Sequence, residues 1–304
     1  MATNETSDFV YGLPGNNFYY LHGTALFSLT TSLAASSFVL VYMFVLTSKV
    51  KLHSRPIGER LVVYLAIYDL CFCVTHSLDH GYMLAVVDNP PDQLCLLFGF
   101  LLQTAIMAQA FLVLFTAVNA MVMVVMERKL YLGNRDWRLF AITIGLPVCI
   151  GIAGVSVPFL GPTGSWCLVD MRKSYGPIVN SVYGCAIVGV FLVNAVCYGA
   201  IYIKITQAAS KTSSSGDNKY HKAAKLMLLF VGVYLWQWWT FVVQALWSFA
   251  EDPAVEFYIL SVLIINLGGV YNAIAYTIIR KRYASVGANE EGGTAKGVST
   301  SVTK

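Results

Sequence analysis

The sequence predicts an all-α membrane protein, a seven-transmembrane-helix bundle with its N-terminus outside and its C-terminus in the cytoplasm. Three observations predict it. Hydrophobic residues make up 57% of the 304 residues and charged residues 12%, against roughly 25% charged in a water-soluble domain. Apolar runs of about 20 residues, each enough to cross the roughly 30 Å hydrocarbon core, recur along the chain. Basic residues collect in alternate connections. The runs place helices at about 24–47, 59–86, 95–126, 139–160, 177–205, 222–249 and 256–279. This divides the chain into an extracellular tail (1–23), the bundle (24–283) and a disordered cytoplasmic tail (284–304). The net charge of +4 decides little, because the placement of the charges matters more. The N-terminus has no basic region followed by a short apolar run and a small-residue cleavage site, so the first helix is expected to serve as an uncleaved insertion signal.

Residues 1–23 are polar and aromatic, with an N-glycosylation acceptor at Asn4-Glu5-Thr6 that is usable only outside the cell. Orientation follows from the basic residues. Lys49, Lys51 and Arg55 follow helix 1; Arg128, Lys129, Arg135 and Arg138 follow helix 3; Lys204, Lys211, Lys219, Lys222 and Lys225 surround the connection after helix 5; Arg280-Lys281-Arg282 closes helix 7. The other side has only Arg172 and Lys173. The positive-inside rule then puts the N-terminus out. The outer side is acidic, which disfavours a strongly anionic ligand; its plain reading is a solvated rim.

Helix 2 carries Asp69 about 15 Å deep, and Asn119 and Asn272 lie about 12 Å from the same ends of helices 3 and 7. A shared layer of these groups reads equally as an ion or proton site and as a satisfied structural cluster. Nearer the outside, His76, Asp79 and His80 fall on one helical face. A pocket wall or interface packing explains them better than a metal, since no further membrane histidine is available to zinc. His22 is expected in the outer tail. Neither a metal nor a cofactor is expected.

Helix 3 is the expected centre. At about 48 Å it exceeds the membrane, so it must tilt and touch most of its neighbours. Its polar residues Gln103, Thr104, Gln109, Thr116 and Asn119 should face other helices or a wet cavity. Cys95 opens it and Cys167 lies in the outer loop after helix 4; both meet an oxidising compartment, so a disulfide is expected, with two free thiols as the alternative. On helix 6, Trp236 and Trp239 read as packing or as a pocket sensor, while Gln237 and Gln244 must find hydrogen-bond partners.

The order of features resembles a G-protein-coupled receptor. Leu65-Ala66-Ile67-Tyr68-Asp69 is similar to the helix 2 signature of that superfamily, and Asn272-Ala273-Ile274-Ala275-Tyr276 to its helix 7 signature with alanine replacing proline. Cys95 and Cys167 match its outer disulfide. The helix 3 arginine motif of the rhodopsin-like class should fall where Asn119-Ala120-Met121 stands, and helices 6 and 7 have no proline. The chain therefore more closely resembles the cyclic-AMP-receptor-like (class E) receptors, through Ala117-Val118-Asn119-Ala120, Gly145-Leu146-Pro147 and Gly164-Ser165-Trp166-Cys167.

The resemblance implies a receptor that transduces an extracellular ligand to a heterotrimeric G protein at the plasma membrane. Its expected ligand-binding residues are His76, Asp79, Gln103, Gln237 and Gln244; its buried polar switch is Asp69, Asn119, Asn272 and Tyr276. Coupling falls to Arg128, Lys129, Arg135, Lys222 and Lys225, a basic rim beside Met123 and Met126 that suits an amphipathic partner helix. Membrane lipid is a further partner, and nucleic acid is not one. The serines and threonines of the tail, from Ser285 to Thr303, suit kinases and an arrestin-type regulator.

A retinal protein needs a lysine within helix 7, and none is there. The remaining alternatives are a membrane transporter or channel, disfavoured by the absence of internal repeats, and a seven-helix membrane hydrolase, which needs more membrane-embedded histidines than His76 and His80.

Overall fold

A computed structural model describes residues 10–46, 51–128, 130–211, 218–247 and 253–278, with backbone alone at 46, 205, 208–211, 218–228, 230, 231 and 245. The helices are α1 (Asn17–Val41), α2 (Ile57–Val86), α3 (Asp92–Val125), α4 (Trp137–Phe140), α5 (Leu146–Ser156), α6 (Gly176–Lys211), α7 (Asn218–Trp247), α8 (Val255–Asn266) and α9 (Gly268–Ile278). A two-stranded antiparallel hairpin, β1 (Leu160–Pro162) and β2 (Cys167–Val169), lies between α5 and α6. Among the described residues, five helical segments are long and apolar enough to cross a membrane, and six when the bent pair α8–α9 is counted as one span. The molecule is an all-α, multi-pass membrane bundle.

The helix starts follow local chemistry. Pro56 precedes α2 and Pro91 precedes α3, where a residue without an N–H leaves no donor orphaned. α1 begins at Asn17, so the start expected near residue 24 lies inside it. Pro147 cannot donate to the carbonyl of Thr143, four residues back, and the chain there is a π turn over Ala141–Gly145 that joins α4 to α5. The expected helix 4 is one helical span over Asn134–Ser156 with this π turn inside it, and it ends before residue 160.

α3 is the hub. It packs against α2, α5, α6, α7 and both hairpin strands. Its buried Ala105, Ala108, Ala110, Ala117 and Ala120 keep the contact surface low enough for several neighbours to approach at once. Gly99 lies under the hairpin, where an added Cβ would stand 3.4 Å from the Leu168 carbonyl oxygen.

α1 uses a second small-residue stripe, Ser28, Ser32 and Ser36, at a spacing of one helical turn, all buried. Gly269 packs onto it: a Cβ there would collide with the Ser36 hydroxyl and the Ser32 carbonyl. The bend of 44° between α8 and α9 sits beside this contact. Two carbonyls next to the break are taken by neighbouring side chains: Gln237 of α7 donates to Ile265 O at 2.9 Å, and Ser32 of α1 donates to Asn266 O at 2.6 Å. Backbone groups freed inside a membrane need such replacements. A Gly-Gly break with inserted side chains therefore bends the last span without proline.

Candidate functional site

At one end of the bundle the β1–β2 hairpin lies across the helices. Cys95 at the start of α3 is bonded to Cys167 on β2. The expected bridge is present, and the alternative of two free thiols is excluded. The Asp79 carboxylate of α2 accepts the Cys167 backbone N–H at 2.7 Å, which holds the hairpin from below. Gly164, at φ +94°, makes the turn that a side-chain-bearing residue adopts only with strain. The chain before α1 comes over the top: Tyr11 N–H donates to Gly164 O at 2.8 Å, and its ring lies 4.7 Å from that of Tyr258 on α8.

The hairpin drives Trp166 into the bundle mouth. Its ring stacks on Tyr258 at 5.6 Å and meets His76 and His80 at 5.8 and 6.1 Å. Tyr258 donates to the Ser165 hydroxyl at 3.2 Å and also interacts with Gln244 of α7. Beneath Trp166 the His80 ring lies 4.4 Å from His76, and its Nδ1 is 2.7 Å from Nδ1 of His22. His22 is thus not in a tail. It is a fully buried residue of α1, because the helix starts before it and turns its side chain onto α2. Its spacing from α2 in sequence offered no signal for this pairing.

The structure brings His76, Asp79 and Gln244 to this mouth and takes two other expected ligand residues elsewhere. Gln103 faces α5, where its amide approaches Pro147 O at 3.4 Å and Met107 Sδ at 2.8 Å. Gln237 braces the α8–α9 break. On α7 the buried indole is Trp238, packed between Tyr234 and Phe241, whereas Trp236 is 54% exposed. Outside the bundle Arg172 bridges Asp170 at 2.9 Å and Asp92 at 3.0 Å. The Asp170 hydrogen bond, and after it Asp92, raise the Arg172 pKa above its ordinary value.

Deeper in, Asn272 donates to the Asp69 carboxylate at 2.8 Å, joining α9 to α2. Tyr276 donates to Met43 Sδ at 2.6 Å. Asn119 does not join them: its amide approaches Met123 Sδ of its own helix at 3.6 Å.

At the opposite end a cavity of about 890 Å³ opens among the loops, lined by residues including His53, Arg60, Asn119, Met123, Tyr131 and Asp136. Its loop wall is fastened to α2 by Asp136, which accepts from Arg60 at 3.0 Å and from the Tyr64 hydroxyl at 2.7 Å. Glu127, just past α3, pairs with Lys204 of α6 at 3.5 Å. Arg128, Arg135 and Met126 are exposed at this end. Lys222 and Lys225 lie on α7 where backbone alone is described; Asn4, Lys129 and the tail 284–304 lie outside the described residues.

The family model for the seven-transmembrane receptors of the rhodopsin family matches residues 37–276, most of the chain. The chain belongs to that family. A comparison with curated proteins finds no match. The receptor is therefore a rhodopsin-like one, and the expected membership of the cyclic-AMP-receptor-like class is overturned. The short motifs behind that expectation occupy positions where packing and turn geometry constrain the residue. Ala117 and Ala120 are buried small residues in α3, Gly145-Leu146-Pro147 adjoins the π turn, and Gly164 has a turn φ. Such demands recur in unrelated bundles. The family is one of receptors, not enzymes. Among the described residues no group of three or more His, Cys, Asp or Glu is placed to hold a metal ion.

Proposed function

We propose that the receptor is a G-protein-coupled receptor of the plasma membrane. It spans the bilayer seven times, with the hairpin end outside and the cavity end in the cytoplasm. α7, which packs against α3, α6 and α8, supplies the span beyond those long and apolar enough by composition. The excess of Lys and Arg at the cavity end supports this orientation. An extracellular ligand acts at the mouth formed by His76, Asp79, Gln244, Trp166 and Tyr258. A heterotrimeric G protein acts at the opposite end, at apolar Met123 and Met126 with the exposed Arg128 and Arg135 and, by their place in the sequence near the start of α7, Lys222 and Lys225. An arrestin-type regulator reads the tail.

One observation carries the reading: a disulfide-anchored hairpin closes a polar mouth at one end, while the other end opens into a cavity with a basic rim. Ligand and G protein then communicate through the equilibrium between bundle states, which each shifts by its differential affinity. The bent α8–α9 span is also a feature of transporters. Here two of the carbonyls at the break are occupied by Gln237 and Ser32 rather than offered to an ion, which favours the receptor reading.

The test places the full chain in bilayer discs with a panel of purified heterotrimers and measures nucleotide exchange. One heterotrimer class should exchange faster than in empty discs. Arg128→Ala combined with Lys225→Ala should abolish that gain at unchanged receptor level. Exchange equal to empty discs for every heterotrimer would refute coupling; exchange unchanged in the double variant would refute this face. A tag at the N-terminus should be labelled on intact cells by an impermeant reagent.

A further inference from the structure

We infer that the buried imidazole cluster His22–His80–His76 is a proton-binding site that controls the hairpin lid. The inference rests on the reading above that the hairpin end faces the outside.

The geometry of the cluster limits its charge. His22 Nδ1 and His80 Nδ1 stand 2.7 Å apart. One must donate and the other accept, so at least one of the two rings is neutral. The first proton added to a neutral pair goes to the free Nε2 of the donating ring and leaves the bond in place; a second turns both Nδ1 atoms into donors and sets two like charges face to face. The third ring, His76, lies against His80 at 4.4 Å between centroids. Around the rings are Phe18 of α1, at 4.3 Å from His22, Phe72 of α2, at 5.2 Å from His76, and Trp166 of the hairpin. All three histidines are almost wholly buried. Among the described residues, Nε2 of His22, Nε2 of His80 and Oδ1 of Asp79 have no hydrogen-bond partner. The site has unused polar capacity and little to stabilise a net positive charge while it stays closed.

The polar groups that face it from each packed element are few. α1 presents His22. α2 presents His76, His80 and, on the same helical face as His76, the carboxylate of Asp79. The hairpin presents Ser165, Trp166 and the Cys167 N–H. α8 presents the Tyr258 hydroxyl and the Asn266 amide; among the described residues neither that amide nor the ring nitrogens of His76 have a hydrogen-bond partner. α7 reaches Tyr258 through Gln244, and the chain before α1 reaches it through Tyr11. Asp79 is the carboxylate of this set, and it is already engaged in holding Cys167.

Proton uptake therefore acts on the lid by two routes. When both rings of the pair are charged, the His22···His80 bond is lost, which loosens α1 from α2. An imidazolium at His76 also draws on the Asp79 carboxylate, whose Oδ1 is free, and so weakens its hold on the Cys167 N–H. The ring that lies over both His76 and His80 is Trp166, so hydration of the new charge lifts Trp166 and with it the hairpin. The Cys95–Cys167 bond keeps the hairpin tethered, so the lid hinges rather than leaves. Acid outside the cell thus favours the open mouth.

The test reads the lid directly. The full chain in bilayer discs, with EDTA present to remove divalent ions, is followed by hydrogen exchange of hairpin amides 160–169 between about pH 7.5 and about pH 5, where an imidazole changes charge. Rates are corrected for the intrinsic pH dependence of exchange. A difference of one unit in proton affinity between closed and open lids changes the lid equilibrium about tenfold. Hairpin protection should fall by about that factor in the wild type. In His80→Gln, which retains a hydrogen-bonding group but does not titrate, the fall should shrink to less than about twofold by the same linkage. His76→Phe, which keeps a ring under Trp166, serves as a second variant should the first fail to fold, and it should also reduce the fall. A pH-independent wild type, or an undiminished fall in the histidine variants, would overturn the proposal. A fall abolished by Asp79→Asn but retained in His80→Gln would assign the titration to the carboxylate and also overturn it. None of these outcomes depends on nucleotide exchange, so loss of G-protein coupling and loss of the proton site are read separately.

Discussion

The fastening of the loop at the cavity end makes the most quantitative prediction. Asp136 has a side chain only 4% exposed and Arg60 one 18% exposed, so their 3.0 Å contact is not a surface pair. The same carboxylate accepts from Tyr64. Hydrogen bonds to a charged group contribute about 1.5–3 kcal/mol each. Two are lost in Asp136→Ala, but Arg60 keeps the carbonyls of His53 and Arg55 as acceptors and is not left without partners. Asp136 also has φ 63°, a left-handed conformation that Asp tolerates better than Ala, which adds about 1 kcal/mol to the cost of Ala. With both bonds at the low end of that range, the expected destabilisation is about 4 kcal/mol for Asp136→Ala. Asp136→Asn keeps the backbone preference and part of the bonding, and should cost about half as much. A double-mutant cycle with Arg60→Ala should return a coupling of about 2 kcal/mol. The assay is reversible unfolding of the receptor in mixed micelles by a denaturing detergent. If Asp136→Ala lies within about 0.5 kcal/mol of wild type, as exposed pairs do, or if the coupling vanishes, the burial argument fails.

Three further outcomes follow from other contacts. Gly268→Ala places a Cβ inside the Gln237 amide and should destabilise by about 1–3 kcal/mol; adding Gln237→Ala should restore only part of this in the same unfolding assay, because Ile265 O then loses its donor. Asn272→Ala leaves the Asp69 carboxylate without the amide it accepts from, at a cost of about 1–3 kcal/mol, and Asp69→Asn in that background should recover stability; a neutral Asn272→Ala would refute the pairing. Cys167→Ser opens a loop between cysteines 72 residues apart, worth about 4 kcal/mol by chain entropy, and should lower surface level; Cys95 alkylation in the native wild type without reductant would contradict the bridge.

Much of the bundle was legible because the membrane imposes rules that act on single segments. A span must be apolar for about 20 residues, and proline and basic residues mark its ends and its sides. α3 as the hub was also legible, since length alone forces tilt. The elements that failed did so for local reasons. α1 starts before its apolar run because Phe18, Leu21 and His22 bury against the bundle rather than lipid, and hydropathy does not distinguish the two. The fourth helix is one span but carries a π turn beside Pro147, whose missing donor composition alone does not turn into a helix type.

The family subclass failed differently, since short Gly and Ala motifs answer to packing and turn geometry shared by many bundles. Gln103 is expected to face other helices or a wet cavity and Gln237 to find a partner, yet a sequence does not say whether what they meet is a ligand or a backbone carbonyl. By itself the sequence determined the membrane class, the approximate spans, the charge asymmetry and the cysteine pair. Each of these depends on one segment's composition or on the compartment it meets. Only the tertiary structure decided that His22 meets His80, that Trp166 covers them, that Asp136 fastens the loop to α2, and that Gln237 and Ser32 take two carbonyls beside a break. Those contacts join residues far apart in the chain, where helix rotation and tilt set which side chains meet, and rotation is fixed by the packing of all the helices together.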